Sequence, residues 1–291
     1  TIPLGEKINV TGGLRQTWEK RKIPPFQQIN FLNNVTTDFA ALSKSFKKLT
    51  YKLGVDYKPT DDAMLYAQYS RGFKSGIFNL GSIATSPDPV NPEVLDAYEV
   101  GAKLDLMEGL RLNFSAFYYD FKDLQVTVYV EGSNALTSLA NAASARMKGG
   151  EIELEARPFD RLRINASAAI LDAKYRNFDR FQKFFPNPST TPTFPANIGT
   201  PTDVSGTRAI RAPKFTGMVN ASYDAPLGDG LTARLSSTFY HNSGYFYQAG
   251  EQGRQKAYQT LDASVTILKD GANWDVSIWG RNLTDENYYP L

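Results

Sequence analysis

The chain has 291 residues, a formal net charge of +2, a single histidine and no cysteine. This charge gives no electrostatic case for nucleic-acid binding, and the absence of thiols excludes disulfides and thiolate metal sites. One histidine also excludes a multi-histidine metal site built from this chain alone.

The composition favours strands over helices. No apolar run of about 18 residues predicts a membrane-spanning helix, and the first residues have no signal-peptide pattern. The chain carries 16 Tyr and 18 Phe, and its mean hydropathy is −0.37. An aromatic-rich, mildly hydrophilic chain is typical of a β-architecture, including a β-barrel in a membrane.

Alternation of apolar and polar residues with a period of two predicts eleven strands, because side chains alternate faces along a strand. Short turns and long loops connect them in alternation. The predicted strands cover approximately residues 5–19, 49–57, 63–74, 94–106 and 110–129, the hairpin 151–170 as the sixth and seventh, and then 215–223, 231–239, 261–267 and 274–281.

The hairpin at 151–170 shows the pattern most clearly. Ile152 and Leu154 alternate with Glu151, Glu153 and Glu155, and the pattern resumes after a tight turn at 158–160. One face of this hairpin is apolar and the other is charged or polar. The pair Gly149-Gly150 predicts a bulge that bends the sixth strand. The longest predicted loop covers residues 175–209, a length that is usually functional.

The apolar face of each predicted strand core carries no charge. A charge on a lipid face costs about 2–4 kcal/mol at the bilayer midplane, whereas a wet lumen tolerates it. Short turns at one end and long loops at the other are also typical of a transmembrane barrel. The charges on the opposite face are Lys7, Arg15, Lys52, Asp56, Glu99, Lys103, Asp105, Arg111, Glu151, Glu153, Glu155, Arg157, Arg161, Arg163, Arg234, Asp262, Asp275 and Arg281.

Aromatic residues of the apolar face lie near the strand ends, where two girdles are expected. Trp274, Tyr223 and Tyr57 lie beside short turns, and Trp18, Tyr69, Tyr118 and Phe239 lie toward long loops. The fold class is therefore all-β, an antiparallel transmembrane β-barrel. Because bacterial barrels of this kind have an even number of strands, we expect the eleven strands to be part of a larger barrel.

Three stretches resemble TonB-dependent outer-membrane receptors of the siderophore-receptor type. LYAQYSRGFKSGIFN at 65–79 is similar to the family's Y-x-x-Y-S-x-G-F-K-x-G-x-F-N segment, and NPEVLDAYEVGAK at 91–103 is similar to its P-E…YE-x-G-x-K strand. RNLTDENYY at 281–289 resembles the NL-x-D-x-x-Y motif before the last strand. The three stretches occur in the family's order and are spaced by whole hairpins.

The resemblance implies a barrel of about 22 strands with a plugged lumen. Residues 1–291 would be the second half of that barrel, without the plug domain and the final strand. It implies TonB-coupled uptake of a scarce nutrient in the bacterial outer membrane, most commonly an iron–siderophore complex. The implied partners are outer-membrane lipid, the plug of the same protein and the TonB complex, with no nucleic acid. No covalently bound cofactor is expected; the ligand would be an Fe(III)–siderophore.

Aromatic and basic side chains near the loops suit an anionic, aromatic siderophore, through stacking and charge. No metal ligands and no catalytic residues are predicted. The candidate ligand-binding residues are Arg71, Phe73, Lys74, Arg146, Lys148, Phe181, Phe184, Phe185, Arg208, Arg211, Tyr245 and Tyr247.

Three alternatives compete with this interpretation. A passive porin would share the alternation but not the three family stretches. An outer-membrane hydrolase would need a nucleophile and a base; His241 shares the face of Leu235 and Phe239, so we expect a rim imidazole and no enzyme. A soluble propeller or sandwich does not account for strands of this length with long loops at one end only.

Overall fold

The computed structural model describes residues 1–30, 35–79, 89–129, 137–186 and 197–289. It places twenty strands in these ranges, and no helix there is long and apolar enough to cross a membrane. The strands are β1 (Ile2–Leu4), β2 (Ile8–Ile23), β3 (Phe26–Asn30), β4 (Val35–Phe39), β5 (Leu42–Thr60), β6 (Ala63–Lys74), β7 (Ile77–Phe78), β8 (Pro89–Val90), β9 (Glu93–Met107), β10 (Leu110–Tyr129), β11 (Thr137–Phe159), β12 (Leu162–Asn177), β13 (Phe181–Pro186), β14 (Asn197–Thr202), β15 (Phe215–Gly228), β16 (Leu231–Asn242), β17 (Tyr245–Gln248), β18 (Gln252–Gln255), β19 (Tyr258–Lys269) and β20 (Asp275–Gly280).

Twelve of these strands form one antiparallel sheet in the order β1-β2-β5-β6-β9-β10-β11-β12-β15-β16-β19-β20. All eleven predicted strands are present, and the all-β antiparallel prediction is confirmed. The additional strand is β1, which pairs Ile2 with Val10 and Leu4 with Ile8. Its three residues are too few to show a period of two.

The connections differ between the two ends of the sheet. At one end, called the turn end, tight turns join β5 to β6, β9 to β10, β11 to β12, β15 to β16 and β19 to β20. At the other, the loop end, the small hairpins β3-β4, β7-β8, β13-β14 and β17-β18 lie in the long connections. Much of the predicted loop at 175–209 is therefore ordered backbone, because β12 continues to Asn177 and β13 pairs with β14.

The register keeps the two faces of the sheet distinct. On the apolar face Ala67 lies opposite Val100, and Ile170 lies opposite Phe215. Val100 is 52% exposed and Ile170 is 61% exposed, although both are large apolar residues. An apolar face that no other part of the described chain covers is what contact with lipid requires.

The polar face carries charges that pair across neighbouring strands. The Arg111 guanidinium lies 2.7 Å from Asp105, and the Arg234 guanidinium lies 2.7 Å from Asp224. The Tyr66 hydroxyl donates a hydrogen bond to Glu99 at 2.8 Å. The positions that carry charges in the sequence therefore form one polar face, whose side chains are joined by ion pairs and hydrogen bonds.

The predicted bulge at Gly149-Gly150 is wrong. Gly149 lies opposite Phe117 and Leu171, and Gly150 lies opposite Ala116 and Ile170, with no register shift at either residue. These glycines make room instead of bending the strand. A Cβ on Gly149 would collide with the Ile170 carbonyl oxygen and would lie 2.8 Å from Cζ of Phe117.

We expect Val100→Arg to destabilise the barrel by up to about 2–4 kcal/mol, because it places a charge on the face assigned to lipid. Gln68→Arg is the matched control, since Gln68 lies opposite Glu99 on the polar face. The folded fraction of the full-length protein in membranes, read from its heat-modifiable mobility on gels, measures the effect. Equal folded fractions for the two variants would contradict the assignment of the faces.

We expect Gly149→Val to cost about 1–3 kcal/mol, because the new side chain overlaps the Ile170 carbonyl and the Phe117 ring. Gly12→Val is the control, since its Cβ would meet no atom within 4 Å. Urea unfolding of the full-length protein in micelles measures the difference. A Gly149 variant as stable as the Gly12 variant would contradict the predicted collision with the Ile170 carbonyl and the Phe117 ring.

Candidate functional site

An apolar cluster attaches the long connections to the sheet at the loop end. Phe178 is 3% exposed and its ring packs against Tyr175 of β12 at 5.2 Å. Phe181 of β13 packs on Phe178 at 5.6 Å. The buried members of this cluster are Val128, Ala143, Ala145, Tyr175, Phe178, Val204 and Ala249.

Backbone hydrogen bonds hold the segment after β14 along the end of β12. Tyr175 donates its amide to Thr207 at 3.0 Å, and Gly206 donates to Tyr175 at 2.8 Å. The Ala209 amide donates to the Ala173 carbonyl at 2.9 Å. Part of the longest connection is thus fixed beside the end of β12 and supports the side chains that follow it.

Six tyrosines gather beside this segment, on the β17-β18 hairpin and the strands and C-terminal residues next to it. The Tyr258 and Tyr288 rings are stacked with centroids 4.4 Å apart, and the Tyr245 and Tyr247 rings meet edge to face at 5.2 Å. Tyr240 lies on the polar face, because the adjacent residue Phe239 lies on the apolar face and neighbouring residues of a strand alternate faces. The tyrosine cluster comprises Tyr240, Tyr245, Tyr247, Tyr258, Tyr288 and Tyr289.

The entry to the β17-β18 hairpin is fixed by a buried amide and a glycine. Asn242 is 0% exposed; its side chain donates to the Tyr240 hydroxyl at 3.1 Å and accepts from the Gly244 amide at 2.8 Å. Gly244 has φ of 84°, and a Cβ there would collide with the Gln255 carbonyl oxygen. Only glycine suits this conformation without strain.

Tyr245 holds the hairpin against the C-terminal segment. It is 1% exposed, and its hydroxyl donates to the Tyr289 carbonyl at 2.8 Å. Burial, followed by the hydrogen bond with Tyr247, raises the pKa of the Tyr245 hydroxyl above its ordinary value. A tyrosine hydroxyl is already protonated at neutral pH, and the raised pKa extends its role as a donor to more alkaline pH.

Two of the predicted arginines lie beside this cluster. The Arg208 guanidinium lies 3.3 Å from the Glu251 carboxylate and 4.5 Å from the Phe246 ring centroid. The Arg211 amide donates to the Phe246 carbonyl at 2.8 Å, and Arg211 is exposed with no carboxylate within 4.0 Å among the described residues. Phenols, a ring face and a cation without an ion-pair partner are suited to binding an anionic, aromatic molecule.

The structure separates the predicted ligand-binding residues into groups. It brings Arg208, Arg211, Tyr245 and Tyr247 together, and it packs Phe181 beside them in the apolar cluster. Phe184 and Phe185 belong to β13, but their side chains lie outside the described residues.

The other predicted residues lie elsewhere. Lys74 is 3.7 Å from Glu93. Phe73 lies opposite Val94 and Arg71 opposite Asp96 and Tyr51, on the parity of the apolar face. Arg146 and Lys148 share that face, because Lys148 lies opposite Tyr118. The four residues on that parity therefore lie on the opposite face of the sheet from the tyrosine cluster. Lys74 lies on the polar parity, but β6 is not next to the strands that carry the cluster.

Sequence reasoning missed four members of the cluster, namely Tyr240, Tyr258, Tyr288 and Tyr289. The sequence signal that could have found them is the density of tyrosine at the ends of the last predicted strands. No group of three or more potential metal ligands occurs in the described residues. His241 packs against Phe215 at 5.7 Å on the apolar face, which confirms its predicted orientation.

We expect Gly244→Ala to loosen the β17-β18 hairpin by about 1 kcal/mol or more, because the methyl group meets the Gln255 carbonyl. Tryptic cleavage after Arg254 and Lys256 of the full-length protein should then accelerate about fivefold or more. Gly206→Ala is the control, with a similar positive φ of 80° but no atom within 4 Å of its Cβ. Equal cleavage of both variants would mean that the collision is relieved without opening the hairpin.

The chain is similar to two curated proteins whose names describe them as receptors. It is 24% identical over 168 residues to the probable TonB-dependent siderophore receptor PiuA of Acinetobacter baumannii, covering 56% of this chain and 21% of PiuA. It is 23% identical over 261 residues to the metal-pseudopaline receptor CntO of Pseudomonas aeruginosa, covering 89% of this chain and 32% of CntO. The chain thus spans less than a third of the length of either relative.

Solved structures share the fold. The ferric yersiniabactin uptake receptor FyuA of Yersinia pestis matches with a TM-score of 0.77 at 18% identity, over 98% of this chain and 39% of FyuA. The copper transporter OprC matches with a TM-score of 0.70 at 14% identity, over 98% of this chain and 41% of OprC. The family model for the TonB dependent receptor-like β-barrel matches residues 1–283. The chain therefore belongs to the TonB-dependent receptor β-barrel family and lies in the bacterial outer membrane.

Proposed function

We propose that this chain supplies ligand-capturing loops to a receptor that takes up a metal–siderophore complex, with iron(III) as the metal. The observation that carries the proposal is the tyrosine cluster beside Arg211, on the polar face at the loop end. Coupling of uptake to TonB, and a plug domain elsewhere in the whole protein, belong to the same proposal.

The exposed part of the site suits such a ligand. Tyr289 is 74% exposed and Tyr247 is partly exposed, so their ring faces are open to stacking. Arg211 adds a cation that no carboxylate neutralises within the described residues. An iron complex of an aromatic, anionic chelator presents flat rings and negative charge, which these groups complement.

The protein's task in this proposal is binding and gating, without bond-making. Tyr247, Tyr289 and Arg211 hold the complex above the lumen, while Tyr245 and Asn242 keep the hairpin in place. Release into the lumen then requires the hairpin or a neighbouring domain to move. The names of PiuA and CntO support a ligand that is a metal bound to a chelator. The identity of the metal as iron is the more specific part of this proposal, since the similar structure OprC is a copper transporter.

The test is a titration of the full-length receptor with ferric complexes of a catecholate, a hydroxamate and a carboxylate siderophore, followed by fluorescence quenching. We expect at least one complex to bind, and Tyr247→Ala to weaken that binding about tenfold through loss of ring stacking. Tyr223→Ala is the control, because Tyr223 lies on the apolar face near the turn end.

Transport by whole cells separates this proposal from a passive porin. Uptake of the bound complex should stop when a protonophore dissipates the energy supply, whereas diffusion through a porin would continue.

Binding of none of the three ferric complexes would reject the siderophore class. Equal loss of affinity in the Tyr247 and Tyr223 variants would reject the tyrosine cluster as the binding site.

A further inference from the structure

The apolar face changes character at a line of tyrosines near the loop end. Tyr51, Tyr69, Tyr98 and Tyr118 lie side by side on β5, β6, β9 and β10, with successive ring centroids 5.6, 4.8 and 6.2 Å apart. We call these four residues the tyrosine row. Aromatic rings on a lipid-facing surface mark the boundary between hydrocarbon and headgroups.

The same face is charged at the tyrosine row and beyond it. Lys148 lies opposite Tyr118, and one step toward the loop end Arg146 lies opposite Asp120 and Lys174. Lys122 lies opposite Val94, and Arg176 continues the parity of Lys174. The outer cationic patch comprises Lys122, Arg146, Lys148, Lys174 and Arg176, all of them exposed.

One carboxylate of this region is saturated by its neighbours. Asp96 is 3% exposed and accepts from Arg71 at 2.6 Å, Lys122 at 3.0 Å and the Tyr69 hydroxyl at 2.8 Å. This network spans β6, β9 and β10 directly above the tyrosine row. It fixes the base of the patch and leaves Asp96 no capacity to neutralise further cations.

The other two carboxylates hold their partners more loosely. Asp120 lies 3.3 Å from Arg176 and 3.5 Å from Lys122, while Asp172 lies 3.8 Å from Lys148 and 3.7 Å from Lys174. Arg146 has no carboxylate within 4.0 Å among the described residues. Counting Arg71, six cations face three carboxylates, so the region has a net charge of +3.

Contact with water alone does not explain why cations are concentrated just beyond the tyrosine row, since like charges repel one another. Polar headgroups begin where the hydrocarbon ends, and phosphate is their common anionic group. Arginine matches phosphate bidentately, and lysine adds point charge. The patch occupies β10, β11 and β12, a width of about 10 Å at the usual spacing of strands. That width suits a headgroup with more than one phosphate.

We propose that the outer cationic patch binds the phosphate groups of an anionic lipid headgroup in the outer leaflet. Arg146 and Lys174 form its centre, because each lies opposite the other in register and both are exposed. The patch lies on the opposite face of the sheet from the tyrosine cluster, so it is independent of the proposed transport ligand. It assigns Arg146 and Lys148, predicted from sequence as ligand-binding residues, to lipid.

The test uses the full-length receptor in neutral detergent and a lipid whose headgroup is a bis-phosphorylated disaccharide. Native mass spectrometry at increasing lipid concentration gives the apparent affinity. We expect Arg146→Gln combined with Lys174→Gln to weaken binding about 30-fold, since each cation near an anionic lipid surface contributes a comparable share. Added salt should weaken the wild-type complex in the same direction.

Lys103→Gln combined with Arg157→Gln is the control, because it removes the same charge from the polar face. Its affinity for the lipid should equal that of the wild type, and heat-modifiable mobility confirms that both double variants are folded. Equal lipid affinity in the patch variant and the wild type would overturn the proposal. So would equal weakening in the control, or binding of inorganic pyrophosphate as tight as that of the lipid.

Discussion

Backbone amides and carbonyls that cross a bilayer must bond to each other, because hydrocarbon offers them no partner. This constraint explains the meander of long antiparallel strands, in which the backbone amides and carbonyls of each strand form hydrogen bonds with those of the neighbouring strands. It also imposes the period of two, since one side of every strand then meets lipid and the other meets water. Charges gather on one face because the alternative face cannot solvate them. The loop hairpins, the tyrosine cluster and the outer cationic patch are all additions to this frame.

The frame was predictable because it is local. Alternation around Ile152 or Val100 can be read without knowing what lies opposite, so the faces of all eleven predicted strands follow from the sequence. The strand β1 was missed because three residues cannot show a period. The glycines at 149 and 150 were interpreted as a bulge because the bulky partner, Phe117, lies more than thirty residues away. Whether a glycine bends a strand or makes room depends on that partner.

The candidate site was less predictable, since it depends on contacts between distant segments. Tyr258 and Tyr288 are far apart in the sequence and meet only when the C-terminal segment returns to the sheet. The sequence predicts Arg71, Arg146 and Lys148 as residues near the loops, because the alternation is clearest in the strand cores. The strands continue further, and parity carried through to their ends places these three residues on the apolar side. The alternation of faces therefore holds to the ends of these strands as well as in their cores.

Two glycines on the polar face, Gly101 and Gly149, leave room for aromatic rings from neighbouring strands. Tyr66 lies over Gly101, and Phe117 lies over Gly149, each ring occupying the place that a Cβ would take. The rings therefore lie flat along the wall instead of projecting inward. Phe117 and Tyr119 stack on each other at 4.8 Å in the same layer. The polar wall therefore gains aromatic rings that narrow the interior less than rings projecting inward would. The interior keeps space for what fills or passes through the barrel.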